Sequence, residues 1–193
     1  MIRTFLRQPD GAAEVTADLL RVAGVLSVLV AAIWWGPVQA GVLALSVIGL
    51  VLSRFLGVHP ALDIAFSLSL LVAAWSSVLD LYGAIVGWDL LVHFIANGLL
   101  AAMLHLLCAR WGIVPDPGAG RVPLPGLVVI TGALGASAGV VWEIAEWWGH
   151  TYIESDIFVG YDDTIGDLAI GTLGAIAAGV VMLLVAAHPR TGR

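Results

Sequence analysis

The sequence predicts an all-α fold, a polytopic membrane bundle of six transmembrane helices with both termini cytoplasmic, and three observations carry that prediction. The first is composition: 60% of residues are hydrophobic, 11% are charged, and the mean hydropathy is +1.00. A soluble domain carries about 25% charged residues, so this chain has less than half the charge needed to cover a water-facing surface. The second is length. At roughly 20 apolar residues per crossing, 193 residues accommodate about six spans with short connections and leave no separate soluble domain. The third is punctuation, because Gly, Pro and charged residues divide the apolar sequence into six stretches.

Residues 1–18 hold Arg3, Arg7, Asp10, Glu14 and Asp18 and read as a polar cytoplasmic segment at the membrane surface. The first span, near 19–35, stops at Gly36-Pro37; glycine suits the end of a helix and proline the first turn of the next. Val38-Gln39-Ala40 imitates a signal-peptidase site. The apolar stretch before it is longer than a signal h-region and contains Trp34 and Trp35, so the first span is expected to be retained. The second span, near 38–56, closes after Arg54, and His59-Pro60 opens the third, near 61–83. The fourth runs near 88–109. Pro115-Asp116-Pro117-Gly118 with Pro123 and Pro125 makes a loop before the fifth, near 125–148. The sixth, near 164–187, has Thr164 at a helix-capping position. Residues 19–187 then form one six-helix domain, and 188–193 a cytoplasmic tail.

Orientation follows from the eight basic residues, all arginine. Arg3, Arg7, Arg21, Arg54, Arg110, Arg121, Arg190 and Arg193 fall on one side of these spans, which the positive-inside rule makes cytoplasmic. The opposite connections contain no Lys or Arg. They collect Asp80, Asp89, Glu143, Glu146, Glu154, Asp156, Asp162, Asp163 and Asp167, with Trp34, Trp35, Trp88, Trp147 and Trp148 as a membrane-interface belt. The net charge of −6 argues against nucleic acid as a partner, since phosphate binding needs clustered cations. A lone cysteine, Cys108, rules out a disulfide framework and is read as a small apolar filler.

Three spans carry ionisable residues one or two turns inside their extracytoplasmic ends. Asp89 and His93 are i, i+4 neighbours, with Asn97 one turn deeper; Glu143 and Glu146 are an i, i+3 pair, with His150 continuing their stripe; Asp163 and Asp167 share a face, with Asp162 beside them. Counted from the expected helix ends, His93, Glu143 and Asp167 lie at a depth of roughly 6 to 8 Å, one layer. The carboxylates continue faces of small residues, Gly132, Gly135 and Gly139 on span five and Gly171, Gly174 and Ala178 on span six, and such faces mark helix contacts in lipid. A carboxylate at mid-membrane costs about 2.5 to 3.5 kcal/mol on insertion scales, less near the interface. No Lys or Arg lies on this side, so bound metal, shared protons or open water must neutralise Asp89, Glu143, Glu146, Asp163 and Asp167, with His93 as the imidazole among them. Carboxylates with one imidazole suit a divalent metal ion, and Asp80, Asn97, His150 and Asp162 are candidates for a surrounding shell. A hydrogen-bonded network joining the helices and a proton path are the alternatives. Asp63 with His59 reads as a helix-end charge beside a turn histidine, and His105 as hydrogen-bonded core.

No Gly-x-Ser-x-Gly, Walker loop or His-Glu-x-x-His occurs, so serine-hydrolase, nucleotide-driven and zincin chemistry have no support. Asp89-x-x-x-His93-Phe94, Glu143-x-x-Glu146-Trp147 and Tyr161-x-Asp163-Thr164-x-x-Asp167 with Gly171 and Gly174 together resemble the YjdF-like family of bacterial inner-membrane proteins. A looser likeness to the VanZ-like family lies in the Asp-x-x-x-His-Phe start and the Asp-rich opening of a glycine-containing last helix. The resemblance, over about residues 80–180, implies an outward-facing polar site and a place in the cell envelope, and no particular reaction. Three functions fit: metal-dependent chemistry on an amphipathic or lipid-linked substrate, with Glu143 or Glu146 as base and His93 as ligand or acid; a proton- or ion-coupled transporter; and a non-catalytic envelope accessory subunit.

The arginine distribution generates a test of orientation. In a Cys108→Ala background, an impermeant thiol reagent added outside should label Glu154→Cys and leave Asp10→Cys and Gly118→Cys unlabelled. Labelling at 118 with protection at 154 reverses the topology.

Overall fold

The computed structural model describes residues 2–119, 124–155 and 157–187. Arg121, Pro123, Asp156, Arg190, Arg193 and the expected tail 188–193 lie outside the described residues. The described regular structure is helical: α1 (Ile2–Phe5), α2 (Ala12–Trp34), α3 (Pro37–Leu56), α4 (Pro60–Val78), α5 (Leu81–Ala84), α6 (Trp88–Arg110), a 3₁₀ turn at Pro117–Ala119, α7 (Leu124–Tyr152) and α8 (Tyr161–Ala187). Six of these, α2, α3, α4, α6, α7 and α8, are long and apolar enough to cross a bilayer. Their exposed faces carry large apolar side chains such as Leu29, Ile33, Ile48, Val129 and Val185, a surface matched to hydrocarbon rather than to water. The protein is an all-helical membrane protein. The chain divides into two compact units, Met1–Val92 and His93–Arg193, the division falling within α6.

In the first unit α2, α3 and α4 pack on one another around Ala31, Leu43, Ala74 and Val78, with α1 against α3 through Phe5 stacked on Phe55 at 4.5 Å. Local chemistry sets the helix limits. Gly36 at φ 111 precedes Pro37, Gly57 at φ 62 ends α3 in the left-handed conformation, and the His59 ring accepts the N–H of Ala61 at the start of α4.

In the first unit two boundaries depart from those expected. The first spanning helix, α2, opens at Ala12 rather than near residue 19, where Glu14 accepts the backbone N–H of Asp10 at 2.8 Å and pairs with Arg7 at 2.6 Å, satisfying polar groups beside the helix start. The third span does not continue to residue 83. It ends at Val78, Asp80 takes a left-handed φ of 54, and Tyr82 donates its hydroxyl to the Ala73 carbonyl at 2.9 Å, turning α5 back on α4. Aspartate tolerates that conformation better than most residues, which composition alone does not reveal.

Asp63 is the helix-end charge expected, in the first turn of α4, and it is also buried, 6% exposed. Arg21 donates through Nη2 to both Asp63 oxygens at 2.6 Å, through Nη1 to Asp18 at 2.9 Å and through Nε to the Leu50 carbonyl at 2.9 Å. Ser53 donates to Asp63 Oδ1 at 2.6 Å, and Ser67 approaches the same oxygen at 3.4 Å. Arg54 donates to the Arg7 carbonyl and faces Glu14 and Asp18 at 3.8 and 3.5 Å. Arg21 thus joins α2, α3 and α4 through charge-assisted hydrogen bonds. Outside the spans, the hydrogen bond from Arg7 to Glu14 raises the Arg7 pKa above its already high ordinary value, so that guanidinium stays charged.

In the second unit α6, α7 and α8 meet through small residues. A Cβ on Gly98 of α6 would lie 2.7 Å from the Gly174 carbonyl oxygen of α8, so the two backbones touch where neither position has a side chain. Gly135 of α7 faces Ala101 and Ala175 in the same way. His105 is fully buried, its Nδ1 3.0 Å from Thr131 Oγ1. The same Oγ1 lies 2.8 Å from the Leu127 carbonyl oxygen, so Thr131 ties the ring to the α7 backbone. The expectation of a hydrogen-bonded core histidine holds.

Removing one partner of the Arg21–Asp63 pair strands a buried charge. Asp63→Ala should cost about 3 to 5 kcal/mol of stability, whereas Arg21→Met with Asp63→Leu should be near neutral. Thermal or denaturant unfolding in detergent checks this: equal losses in the single and double variants would show that the pair does not hold the unit.

Candidate functional site

Gly87, at φ 76, releases the chain into α6, and its first two turns carry Asp89 and His93 at the i, i+4 spacing expected from sequence. Asp162 and Asp163 occupy the first turn of α8, where carboxylates favour the helix dipole, and Asp167 follows one turn later. Asp167 is buried, 4% exposed, and His93 Nε2 stands 3.8 Å from its Oδ2. Asp89, His93 and Asp167 each offer one ligand atom, and these atoms lie within 4.8 Å of one another.

That spacing can be compared with what a metal requires. Two donors on one ion at about 2.1 Å are separated by about 3.0 to 4.2 Å, depending on the angle between them. The His93–Asp167 approach of 3.8 Å lies inside that range, and the 4.8 Å limit for the whole group lies just above it. Two carboxylates balance the charge of a divalent ion, and the imidazole adds the nitrogen preferred by first-row transition metals. The donor set fits a metal ion. It equally forms a His–Asp ion pair when the ring is protonated.

The other predicted residues take varied places. Glu143 and Glu146 are half-buried on α7, and Asp163 is half-buried on α8; they stand outside the Asp89–His93–Asp167 group. The helix α7 continues to Tyr152, so Glu143 lies about 13 Å from its helix end, where an end at residue 148 put it about 7 Å away. Thr164 is not a cap. The helix starts at Tyr161, and the Thr164 N–H already donates to the Gly160 carbonyl at 2.9 Å. Among the expected surrounding residues, Asp162 and Asp80 are exposed, Asp80 at the left-handed turn before α5. Asn97 donates through Nδ2 to the Gly135 carbonyl at 3.1 Å, joining α6 to α7. His150 donates through Nδ1 to the Ile157 carbonyl at 2.7 Å, holding the connection that leads to α8.

A family model described as "Predicted membrane protein (DUF2238)" matches residues 16–188. The chain belongs to this family. The matched stretch contains every predicted site residue, from Asp80 to Asp167, as well as Arg21, Arg54 and Asp63; Arg7 and Glu14 precede it. A Thermotoga maritima protein described as uncharacterized is 28% identical to this DUF2238 chain over 116 residues, which is 60% of the chain and 55% of that protein. The chain thus spans about half the length of that relative. No solved structure matches it. The family places the protein in a membrane and assigns it no activity.

The Arg21–Asp63 network is not among the clusters expected from sequence. Arg21 lies two residues inside the expected first span and Asp63 two inside the third. The rule that singles out His93 and Asp167, an ionisable residue within a span, finds this pair as well.

The His150 contact gives a local prediction. His150→Ala should cost roughly 1 kcal/mol and speed amide exchange at Glu154 and Ile157, leaving α6 unchanged. Unaltered exchange at both amides would show that the ring does not hold this connection.

Proposed function

We propose that this DUF2238 protein binds a divalent metal ion through Asp89, His93 and Asp167. The observation that carries the proposal is the approach of three ligand atoms, from α6 and α8, to within 4.8 Å of one another. A buried Asp167 supports it, since a carboxylate 4% exposed in a membrane protein calls for a compensating positive charge. A divalent ion held there would supply Lewis acidity and lower the pKa of bound water. Glu143 and Glu146, one turn apart on α7, are the protein's own proton acceptors in this reading, and His93 is a ligand or an acid.

The wider setting belongs to the same proposal. With the arginine-poor connections outside, the cluster faces the outer leaflet of a bacterial inner membrane, where the substrate is amphipathic or lipid-linked. The YjdF-like resemblance over about residues 80–180 supports that placement in the cell envelope. A His–Asp ion pair joining α6 to α8 is the second reading, favoured by the 3.8 Å approach of His93 to Asp167. It corresponds to an accessory subunit without chemistry of its own.

Metal analysis and thermal unfolding of purified protein separate the two. Metal binding predicts about one Zn²⁺ or Mn²⁺ per chain, weakening as pH falls because the ligands take up protons. At a metal concentration one hundred times Kd, binding adds about 2.7 kcal/mol of stability, which chelation should remove. Asp89→Asn and His93→Ala should lose this response. Parent protein that holds no metal, and whose unfolding temperature ignores both chelator and added ions, leaves the ion-pair reading.

A further inference from the structure

His93 and Asn97 are one turn apart on α6, and Asp167 and Gly171 are one turn apart on α8, so the His93–Asp167 approach and the Asn97–Gly171 approach are successive steps of one helix contact. The lower step leaves no space. A Cβ added at Gly171 would lie 2.9 Å from Asn97 Nδ2 and 3.4 Å from its Cβ and Cγ. The amide cannot swing aside freely, because the same Nδ2 donates to the Gly135 carbonyl of α7 at 3.1 Å. One residue further along α6, Gly98 meets the Gly174 backbone, where an added Cβ would lie 2.7 Å from the carbonyl oxygen. The separation of α6 and α8 is therefore fixed immediately beneath His93 and Asp167 by an asparagine side chain seated on a glycine.

We propose that Asn97 and Gly171 are positioning residues that set the separation of the His93 and Asp167 ligand atoms and thereby the affinity of the metal site. This inference rests on the metal reading and deepens it. Metal–ligand distances tolerate only about 0.2 Å, so helices forced apart at residue 171 spoil a bridging site at residues 93 and 167 even though both ligands remain. Gly139 of α7 provides the control. It faces the same amide, but a Cβ there would lie 3.8 Å from Asn97 Nδ2 and 3.4 Å from Leu168, ordinary contact.

The test measures Zn²⁺ affinity in the full chain for the parent, Gly171→Ala, Gly139→Ala and Gly171→Ala with Asn97→Ser. Gly171→Ala should lose about tenfold or more, the range typical of residues that orient ligands. Asn97→Ser should restore most of that loss by removing the obstructing amide, and Gly139→Ala should stay within about twofold of the parent. Should Gly171→Ala fail to assemble, Asn97→Gln lengthens the side chain against an unchanged Gly171 and should produce the same loss. A second readout needs no metal. In a His93→Cys, Asp167→Cys, Cys108→Ala background, a short bifunctional thiol reagent should crosslink α6 to α8 more slowly once Gly171→Ala is added, and Asn97→Ser should restore the rate. Parent protein that binds no Zn²⁺ sinks the metal reading, and crosslinking alone then decides whether Asn97 and Gly171 set the spacing. Equal affinity in the parent and Gly171→Ala, equal crosslinking rates, or no recovery in the double variant overturns the inference.

Discussion

Hydrocarbon does not solvate charge, and the placement of ionisable side chains in this protein follows from that constraint. In the first unit the solution is arginine. A guanidinium is planar, carries five donors and stays protonated, so Arg21 can meet both oxygens of Asp63 while also binding Asp18 and the Leu50 carbonyl. The pair is fixed in charge, and Ser53 adds a further donor to Asp63. In the second unit the partner brought to Asp167 is an imidazole, His93, at 3.8 Å. An imidazole, unlike a guanidinium, can present a nitrogen lone pair, the group that a metal binds. The two units thus set different bases beside a buried carboxylate, a guanidinium in the first and an imidazole in the second, and the metal proposal rests on the second.

The features legible in the sequence are those set by composition and local spacing. Six apolar stretches correspond to six membrane-spanning helices, with the fourth expected near 88–109 and found at Trp88–Arg110. Asp89 and His93 share a face because a helix has 3.6 residues per turn, whatever surrounds it. Less legible were features that depend on partners distant in sequence. Asp63 looks like a dipole-facing charge until Arg21, 42 residues earlier, is known to reach it. The early start of α2 comes with the Arg7–Glu14–Asp10 contacts, which hydropathy does not register. Asp80 breaks the third span through a single backbone dihedral, φ 54, that one aspartate in an apolar run does not announce. The end of α7 was likewise not legible: the helix extends beyond Trp148 to Tyr152, so distance from its terminus does not measure the depth of Glu143.

Helix packing and site geometry in the second unit are the same set of contacts. Lipid tails are as apolar as leucine, so burial gives membrane helices little reason to associate, and close van der Waals packing takes its place. Gly98 against Gly174 brings two backbones together, and Gly135 against Ala101 and Ala175 does the same for α7. Asn97 is the polar element within this apolar contact, its amide bonded to the Gly135 carbonyl and seated on Gly171. Glycines at these positions serve a purpose beyond adhesion. They decide how close side chains one turn away can come, and a polar group with no solvent around it can interact only with what the helices bring within reach.

The burial of Asp167 shows why such a cluster calls for a purpose. An aspartate at mid-membrane costs about 2.5 to 3.5 kcal/mol on insertion scales, and a well-packed apolar residue in place of a buried ion pair is often as stable or more so. Helix association therefore does not require Asp167 and His93, since the glycine contacts beside them already hold α6 to α8. What the pair adds to those contacts is a different chemistry, a carboxylate beside an imidazole where the first unit sets a carboxylate beside a guanidinium. Asp89 brings a further oxygen to the same point from one turn earlier on α6. That third donor is what the metal proposal needs beyond an ion pair, because a single hydrogen-bonded pair needs two groups and a metal site needs at least three.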